Sequence, residues 1–420
     1  MNINAERLWK REQEIGEYGH DPRGGISRFA WTTEYREAAL LLIKWMEEIG
    51  LKVKVDTVGN IYGRYDGTED LPPVLTGSHL DTVPMGGKFD GIAGIMTALE
   101  VLTSMYEQGY KPRRPIEMIA FINEEATQFL GGTFGSKAIC GMLPSDYAEN
   151  SVDRNTGKTM KQAMLEYGMG LEPDNFEKSF IKEEDYFAFI ELHIEQGKYL
   201  LNKGFPLAVV GGIAGIKQFY ITYHGESAHA GGMAMEDRHD AFMAAAETAC
   251  EVERLALNSG SPTRGTVGYV NIEPNEHNIV ANKVTISVDF REIRDDIWQR
   301  IYDDLMVFVE KQCEKRGLIC DVKSTLSIAP CHCNSKLKEI IAESAEENNI
   351  SYMHMVSYPA HDAMNMGRLF PMAMIFLRSS NGGLSHCPEE FTTKEDLAAG
   401  AEILYTTLKK ICEFEGNTII

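Results

Sequence analysis

The chain has 420 residues, 44% of them hydrophobic and 25% charged, and carries a formal net charge of −21. That length is too great for one ordinary core and the composition too apolar for disorder, so two folded domains are expected. The acidic balance excludes a broad nucleic-acid surface, which needs clustered Lys and Arg, and disfavours anionic membranes.

The opening Met1-Asn2-Ile3-Asn4-Ala5-Glu6-Arg7 has no apolar stretch of the secretory kind. The most apolar early run, residues 38–46, is interrupted by Lys44 and is too short to span a bilayer. Eight cysteines scattered over so long a chain are not a disulfide framework. Cys331-His332-Cys333 looks like a metal fragment, but no second pair follows at zinc-finger spacing. The expectation is a cytoplasmic protein with reduced thiols, partnered by neither nucleic acid nor membrane.

In chain order, residues 38–46 read as a buried helix ending near Gly50, 74–76 as a strand, and 91–102 as a helix after a Gly-rich turn. The apolar run 116–122 is followed at once by Asn123-Glu124-Glu125, and 186–192 is another strand with His193 at its end. This alternation predicts an α/β domain with a largely parallel sheet, whose functional side chains gather at the carboxyl ends of strands. Residues 209–215, with Gly211, Gly212 and Gly215, read as a flexible crossing point. Beyond it come a strand (218–224), a helix (240–256), strands (265–272 and 283–290), a helix (297–313) and a strand (318–326). That βαββαβ order is ferredoxin-like and predicts an inserted domain over 213–329, between catalytic-domain segments 1–212 and 330–420. The remainder returns to the α/β style, with a strand at 372–377 and a helix at 393–411, where Thr393 and Asp396 resemble a capping box.

Five short motifs carry chemistry. His79 lies in Gly77-Ser78-His79-Leu80-Asp81, and Asp90 sits in the glycine-lined turn Gly86-Gly87-Lys88-Phe89-Asp90-Gly91, where a carboxylate can bridge two cations. Adjacent Glu124 and Glu125 at a strand end need compensation if buried; beside metals, one can ligate and the other act as general base. His193 in His193-Ile194-Glu195-Gln196-Gly197 and His386 in Gly382-Gly383-Leu384-Ser385-His386-Cys387-Pro388-Glu389-Glu390 complete the set. Each alone fits a structural residue as well as a ligand. The five in this order are a strong signal together.

With those motifs in that order, the chain resembles the hydantoinase/carbamoylase amidases, a branch of the aminoacylase and carboxypeptidase superfamily of dinuclear metallohydrolases. The resemblance implies that Asp90 bridges two divalent metals, with His79 and His193 completing one site, Glu125 and His386 the other, and Glu124 as general base. It further implies that His229, in Gly225-Glu226-Ser227-Ala228-His229-Ala230-Gly231, polarises the scissile carbonyl and can act from a partner subunit. Asn278 and Arg291 would hold the substrate carboxylate, Gln196 would contact the ureido end, and the inserted domain would be a lid and homodimerisation domain. Arg291 suits that use, since its planar fork captures carboxylates bidentately.

The expected activity is hydrolysis of an N-carbamoyl-L-amino acid or related ureido acid, with two ions of zinc, manganese, cobalt or nickel. Allantoate hydrolysis is the nearest alternative. A dipeptidase or aminoacylase is a second, opposed by His193 where peptidases carry a carboxylate, and a non-catalytic binding protein is a third. The chain departs from the family at Tyr358-Pro359-Ala360-His361-Asp362, at Gly231-Gly232-Met233-Ala234-Met235 and at Cys387. The first two departures bear on the substrate pocket.

Overall fold

The computed structural model describes residues 2–129, 131–416 and 419. Two compact units emerge, one made of the chain up to Gly211 and from Cys333 onward, the other of Gly212–His332. No helix among the described residues is long and apolar enough to cross a membrane.

Among the described residues, the first unit is built on a nine-stranded sheet, in which the end of Leu207–Ile213 and the strand Cys331–His332 are the first and last residues of the second unit. The sheet order is Lys52–Val55, Ile61–Tyr65, Ile116–Phe121, Val74–His79, Ala188–Ile194, Met372–Leu377, Leu207–Ile213 and Cys331–His332, with Tyr352–Ser357 also pairing Leu207–Ile213. Parallel pairing joins the four central strands, while Lys52–Val55, Ile61–Tyr65, Leu207–Ile213 and Cys331–His332 are joined on by antiparallel pairing. The expectation of a largely parallel sheet is corrected accordingly. Its physical reason is plain at Lys52–Val55 and Ile61–Tyr65, where a short turn can return only an antiparallel neighbour. The central strands are buried along their whole length, as continuous apolar runs covered by helices on their faces should be. Helices Ile92–Glu107 and Lys394–Cys412 pack on this sheet and on each other. Thr393 caps the latter by accepting from the Asp396 amide, but the Asp396 carboxylate is taken by Arg378, so the capping box is only half formed.

The glycine-rich run expected to be a flexible crossing is instead strand Leu207–Ile213, continuing after Ala214 into strand Gly215–His224. Val209, Val210 and Ile213 are buried and favour extended backbone. Gly212 lets the Cys331–His332 backbone come close, since a Cβ there would lie 2.8 Å from the Cys331 oxygen.

The second unit is an antiparallel sheet ordered Val270–Glu273, Lys283–Glu292, Gly215–His224, Ile319–Ile328, with Arg264–Thr266 also on Lys283–Glu292. Helices Ala241–Leu257 and Asp295–Arg316 pack against the sheet and each other. Strict alternation of buried and half-buried residues along Lys283–Glu292 marks a sheet with one covered face. The element order is βαββαβ, the ferredoxin-like arrangement. One predicted strand is broken in two, because the Ser287 hydroxyl takes the Gly268 and Tyr269 amides where a backbone ladder would run.

Candidate metal centre

The site grows from the carboxyl ends of the central strands. His79 is the last residue of Val74–His79 and His193 the second-last of Ala188–Ile194. After Ile116–Phe121 the chain turns through Asn123, at φ 54°, into Glu124 and Glu125. Both of their amides donate to the Asp81 carboxylate, at 3.1 and 3.0 Å. Asp90 precedes Gly91, which has φ 71°; a Cβ there would lie 2.5 Å from the His79 ring, so only glycine lets the two ligand-bearing segments meet. His386 and Gln196 also adopt left-handed backbone, at φ 58° and 56°, a concentration of strain typical of functional sites.

Two groups of donors meet at Asp90. Its Oδ1 lies 3.1 Å from His193 Nε2 and 3.6 Å from His79 Nε2, and the two Nε2 atoms are 3.4 Å apart. In each ring Nδ1 faces a backbone carbonyl, Asp81 at 3.0 Å and Ile194 at 2.9 Å, so Nδ1 carries the proton of the neutral imidazole and Nε2 offers its lone pair. Asp90 Oδ1 is buried without a hydrogen bond. Three lone-pair atoms aimed at one point repel unless positive charge sits among them, so this group fits a cation. The second group is Asp90 Oδ2, His386 Nε2 at 3.1 Å from it, and Glu125 Oε1 at 3.3 Å from that nitrogen. Both triads, His79–Asp90–His193 and Asp90–Glu125–His386, hold their ligand atoms within 4.8 Å of one another. One carboxylate with an oxygen in each triad has the layout of a bridge between two cations.

The electrostatics agree. Burial would raise the Asp90 carboxyl, but His193, His386 and His79 together hold it well below its ordinary value. Burial would lower His79, yet Asp90 and the charges of Glu124 and Asp81 push it well above. Burial, then the neighbouring Asp90 charge, pushes Glu125 up to about 7. Burial also raises Glu124 well above the usual carboxylate range, with His79 opposing and Glu125 and Asp362 adding to it. A hydrogen bond to Asp90 lifts His386 to about 9. Without a cation, protons compensate the crowded acids.

Gln196, expected at the ureido end, stands within the second triad. Its Nε2 is 2.9 Å from Asp90 Oδ2 and 3.1 Å from His386 Nε2. Three supporting groups carried no role in the sequence reading. Asp81 orients the Glu124–Glu125 turn, Glu390 accepts from the Phe89 and Asp90 amides, and His361 packs 4.5 Å from His193 between ring centroids. Asp81 had a signal, an acid two residues after a candidate ligand. Glu390 and His361 had none, because their partners lie 300 and 168 residues away in the chain.

The remaining candidates belong to the second unit. His229 and Asn278 lie together, because Ala228–His229 pairs with Ile279–Val280 and the Ala230 amide donates to the Asn278 carbonyl at 2.9 Å. The Gly231 amide donates to His229 Nδ1 at 3.1 Å, which leaves the ring proton on Nε2. Arg291 lies at the far end of strand Lys283–Glu292, about 26 Å from Lys283 at the rise of a β-strand. Its guanidinium is engaged by Asp289, with both contacts at 3.1 Å. Asn278 and Arg291 were expected to hold one carboxylate. Within a single copy they sit towards opposite ends of the sheet, so one carboxylate does not reach both.

The sequence matches peptidase family M20/M25/M40 over residues 75–410. It is 36% identical to an N-carbamoyl-L-amino acid amidohydrolase from Geobacillus stearothermophilus, covering 98% of this chain and 100% of that one. It is 33% identical to an allantoate amidohydrolase from Bacillus subtilis (strain 168), covering 94% of this chain and 95% of the relative. Among solved structures, an amidase of the hydantoinase/carbamoylase family from Burkholderia multivorans superposes with a TM-score of 0.90 at 30% identity, over 98% of each chain.

Proposed function

The chain belongs to peptidase family M20/M25/M40, and from that premise we propose that it hydrolyses the ureido C–N bond of an N-carbamoyl-L-amino acid, releasing ammonia and carbon dioxide. The observation that carries this reading is Asp90, whose two carboxylate oxygens each face a separate triad of ligands. His79 and His193 would hold one divalent cation, Glu125 and His386 the other, and Asp90 both. Bound there, the cations supply an acidified water and polarise the carbonyl. Glu124, His79 and Glu125 bring their ligand atoms within 4.8 Å of one another. Glu124 takes the proton of the attacking water and passes it to the departing nitrogen as the C–N bond breaks. The product left behind, an N-carboxy amino acid, loses carbon dioxide to give the amine.

His229 contributes its Nε2–H to the oxygen on which negative charge develops, the role suited to the tautomer set by the Gly231 amide. Arg291 and Asn278 fix the substrate carboxylate, with Asp289 holding the Arg291 fork in plane. Since these two lie towards opposite ends of the sheet of the second unit, the carboxylate site calls for Arg291 of one copy and the Asn278–His229 ribbon of another. That supports a homodimer in which the second unit serves as lid. Gln196, beside Asp90 and His386, would contact the ureido end.

Allantoate, a diureido acid, is the second reading, favoured by the full-length likeness to an allantoate amidohydrolase. The test is ammonia release from N-carbamoyl-L-amino acids, allantoate and dipeptides with added manganese, for the wild type and Glu124→Gln. Turnover of carbamoyl amino acids above allantoate is expected, together with a roughly 10²–10⁴-fold lower kcat in the variant at unchanged metal content. Preference for allantoate selects the second reading. Preference for dipeptides, or no turnover, sinks both, and near-normal activity in Glu124→Gln removes it from the mechanism.

A further inference from the structure

We infer that Glu390 is the positioning residue that makes the centre dinuclear, by tying the Asp90 turn to the His386 turn so that the second triad can close on a cation. The inference rests on the two-cation reading above.

The two triads are supported differently. His79 and His193 sit in strands of the sheet centre, laddered to Phe121 and Phe376 respectively. His386 belongs to no strand or helix. Its turn passes through left-handed Gly382, Gly383 and His386 itself, and its side chain is 48% exposed. Its loop is closed on itself, by the Ser380 amide on the Phe391 carbonyl and the Glu390 amide on the Cys387 carbonyl, but no sheet ladder holds it as one holds His79 and His193.

Glu390 links this loop to the Asp90 turn. It is 4% exposed, and its two carboxylate oxygens divide between the two turns. Oε1 accepts from the Phe89 amide at 3.0 Å and the Asp90 amide at 2.9 Å. Oε2 accepts from the Ser385 hydroxyl at 2.8 Å and the His386 amide at 3.4 Å. The same hydroxyl lies 3.2 Å from Asp90 Oδ2, the oxygen that faces His386. Four donors converge on one acceptor-only group, two per oxygen, so a carboxylate satisfies them all. Glutamine keeps one oxygen and turns an NH2 towards donors, releasing one turn or the other. Aspartate keeps the charge but is one methylene too short to span both.

A second handle on the same contact lies across the turn. A Cβ at Gly87 would come 2.2 Å from Glu390 Oε1 and 2.3 Å from its Cβ, so Gly87→Ala pushes the whole Glu390 side chain away from the Phe89–Asp90 turn while leaving its chemistry unchanged.

The test reads metal content and cobalt spectra of the full-length protein rather than turnover alone. Wild type, Glu390→Gln and Gly87→Ala are freed of metal, titrated with cobalt(II), and followed by elemental analysis and visible absorption. The wild type is expected to take two equivalents. Both variants should take the first with wild-type affinity and the second roughly 10–100-fold more weakly, as loss of an outer contact to a ligand typically does. Excess cobalt should restore the second equivalent and its absorption band. Two equivalents at unchanged affinity in either variant overturn the proposal. Loss of both equivalents in step also overturns it, since that marks a general lesion. If Glu390→Gln fails to fold, Gly87→Ala decides alone. A wild type that binds fewer than two cations defeats the dinuclear reading instead, and is recognised before any variant is compared.

Discussion

At the scale of single residues the centre is a competition between protons and cations. Glu125 is pushed up to about 7 and His386 to about 9, and both must be unprotonated to ligate. Below about pH 7 a cation entering the second triad displaces two protons, between about 7 and 9 one, and above about 9 none. Affinity there should therefore rise with pH, steeply up to 7, tenfold per unit from 7 to 9, then level. Metal-buffered titrations across that range check this, and a flat profile would show that neither group is a ligand. The five residues of the two triads were legible in the sequence because each stands in a short motif, His79, Glu125 and His193 after apolar runs and Asp90 and His386 in glycine-containing turns. Glu390 was not singled out, since an acid that accepts backbone amides looks, in one dimension, like any surface acid, and Asp81 was passed over although it stands two residues after His79.

Secondary-structure elements set how closely these residues approach, and Gly91 is the sharpest case. It opens helix Ile92–Glu107 at φ 71° with the His79 ring where a side chain would be. Gly91→Ala should cost about 1–2 kcal/mol from the left-handed backbone alone. It should also push His79 off its position, lowering occupancy of the first triad. A thermal melt with elemental analysis checks both, and a fully loaded variant of wild-type stability would refute the steric account. Elements with strong local signals, such as 116–122 and 372–377, formed close to where the pattern placed them. The glycine run at 209–215 did not become a loop, because neighbours on both sides of Leu207–Ile213 supplied ladder partners. Propensity for flexibility yields when backbone groups find hydrogen bonds and buried Val and Ile reward the extended form.

For the whole molecule, the placement of His229 and Asn278 towards one end of the second unit's sheet and Arg291 at the other makes a mixing experiment decisive. Inactive His229→Ala and inactive Glu124→Gln are combined and allowed to exchange subunits. If His229 serves the partner's metals, each heterodimer has one site with both lesions and one intact site, so activity should recover towards half per exchanged dimer. If it serves its own, every site keeps one lesion and nothing recovers. Absence of recovery despite demonstrated exchange would reject the shared site, and an active monomer would reject the dimer as well.

The sequence by itself determined the class of chemistry and the order of the parts. Ligand type is a property of side chains, and the alternation of apolar runs reports element order directly. The βαββαβ insertion was readable for the same reason, its helices and strands each having their own period. Only the tertiary structure decided that the sheet is parallel at its centre and antiparallel at strands added beyond it, since strand direction depends on which strands become neighbours. It alone put Gln196 against Asp90 and His386, and Arg291 far along the strand from Asn278. It alone joined Glu390 to the Phe89–Asp90 turn 300 residues away in the chain. Those facts follow from backbone hydrogen bonds and close packing between distant segments, which no local pattern encodes.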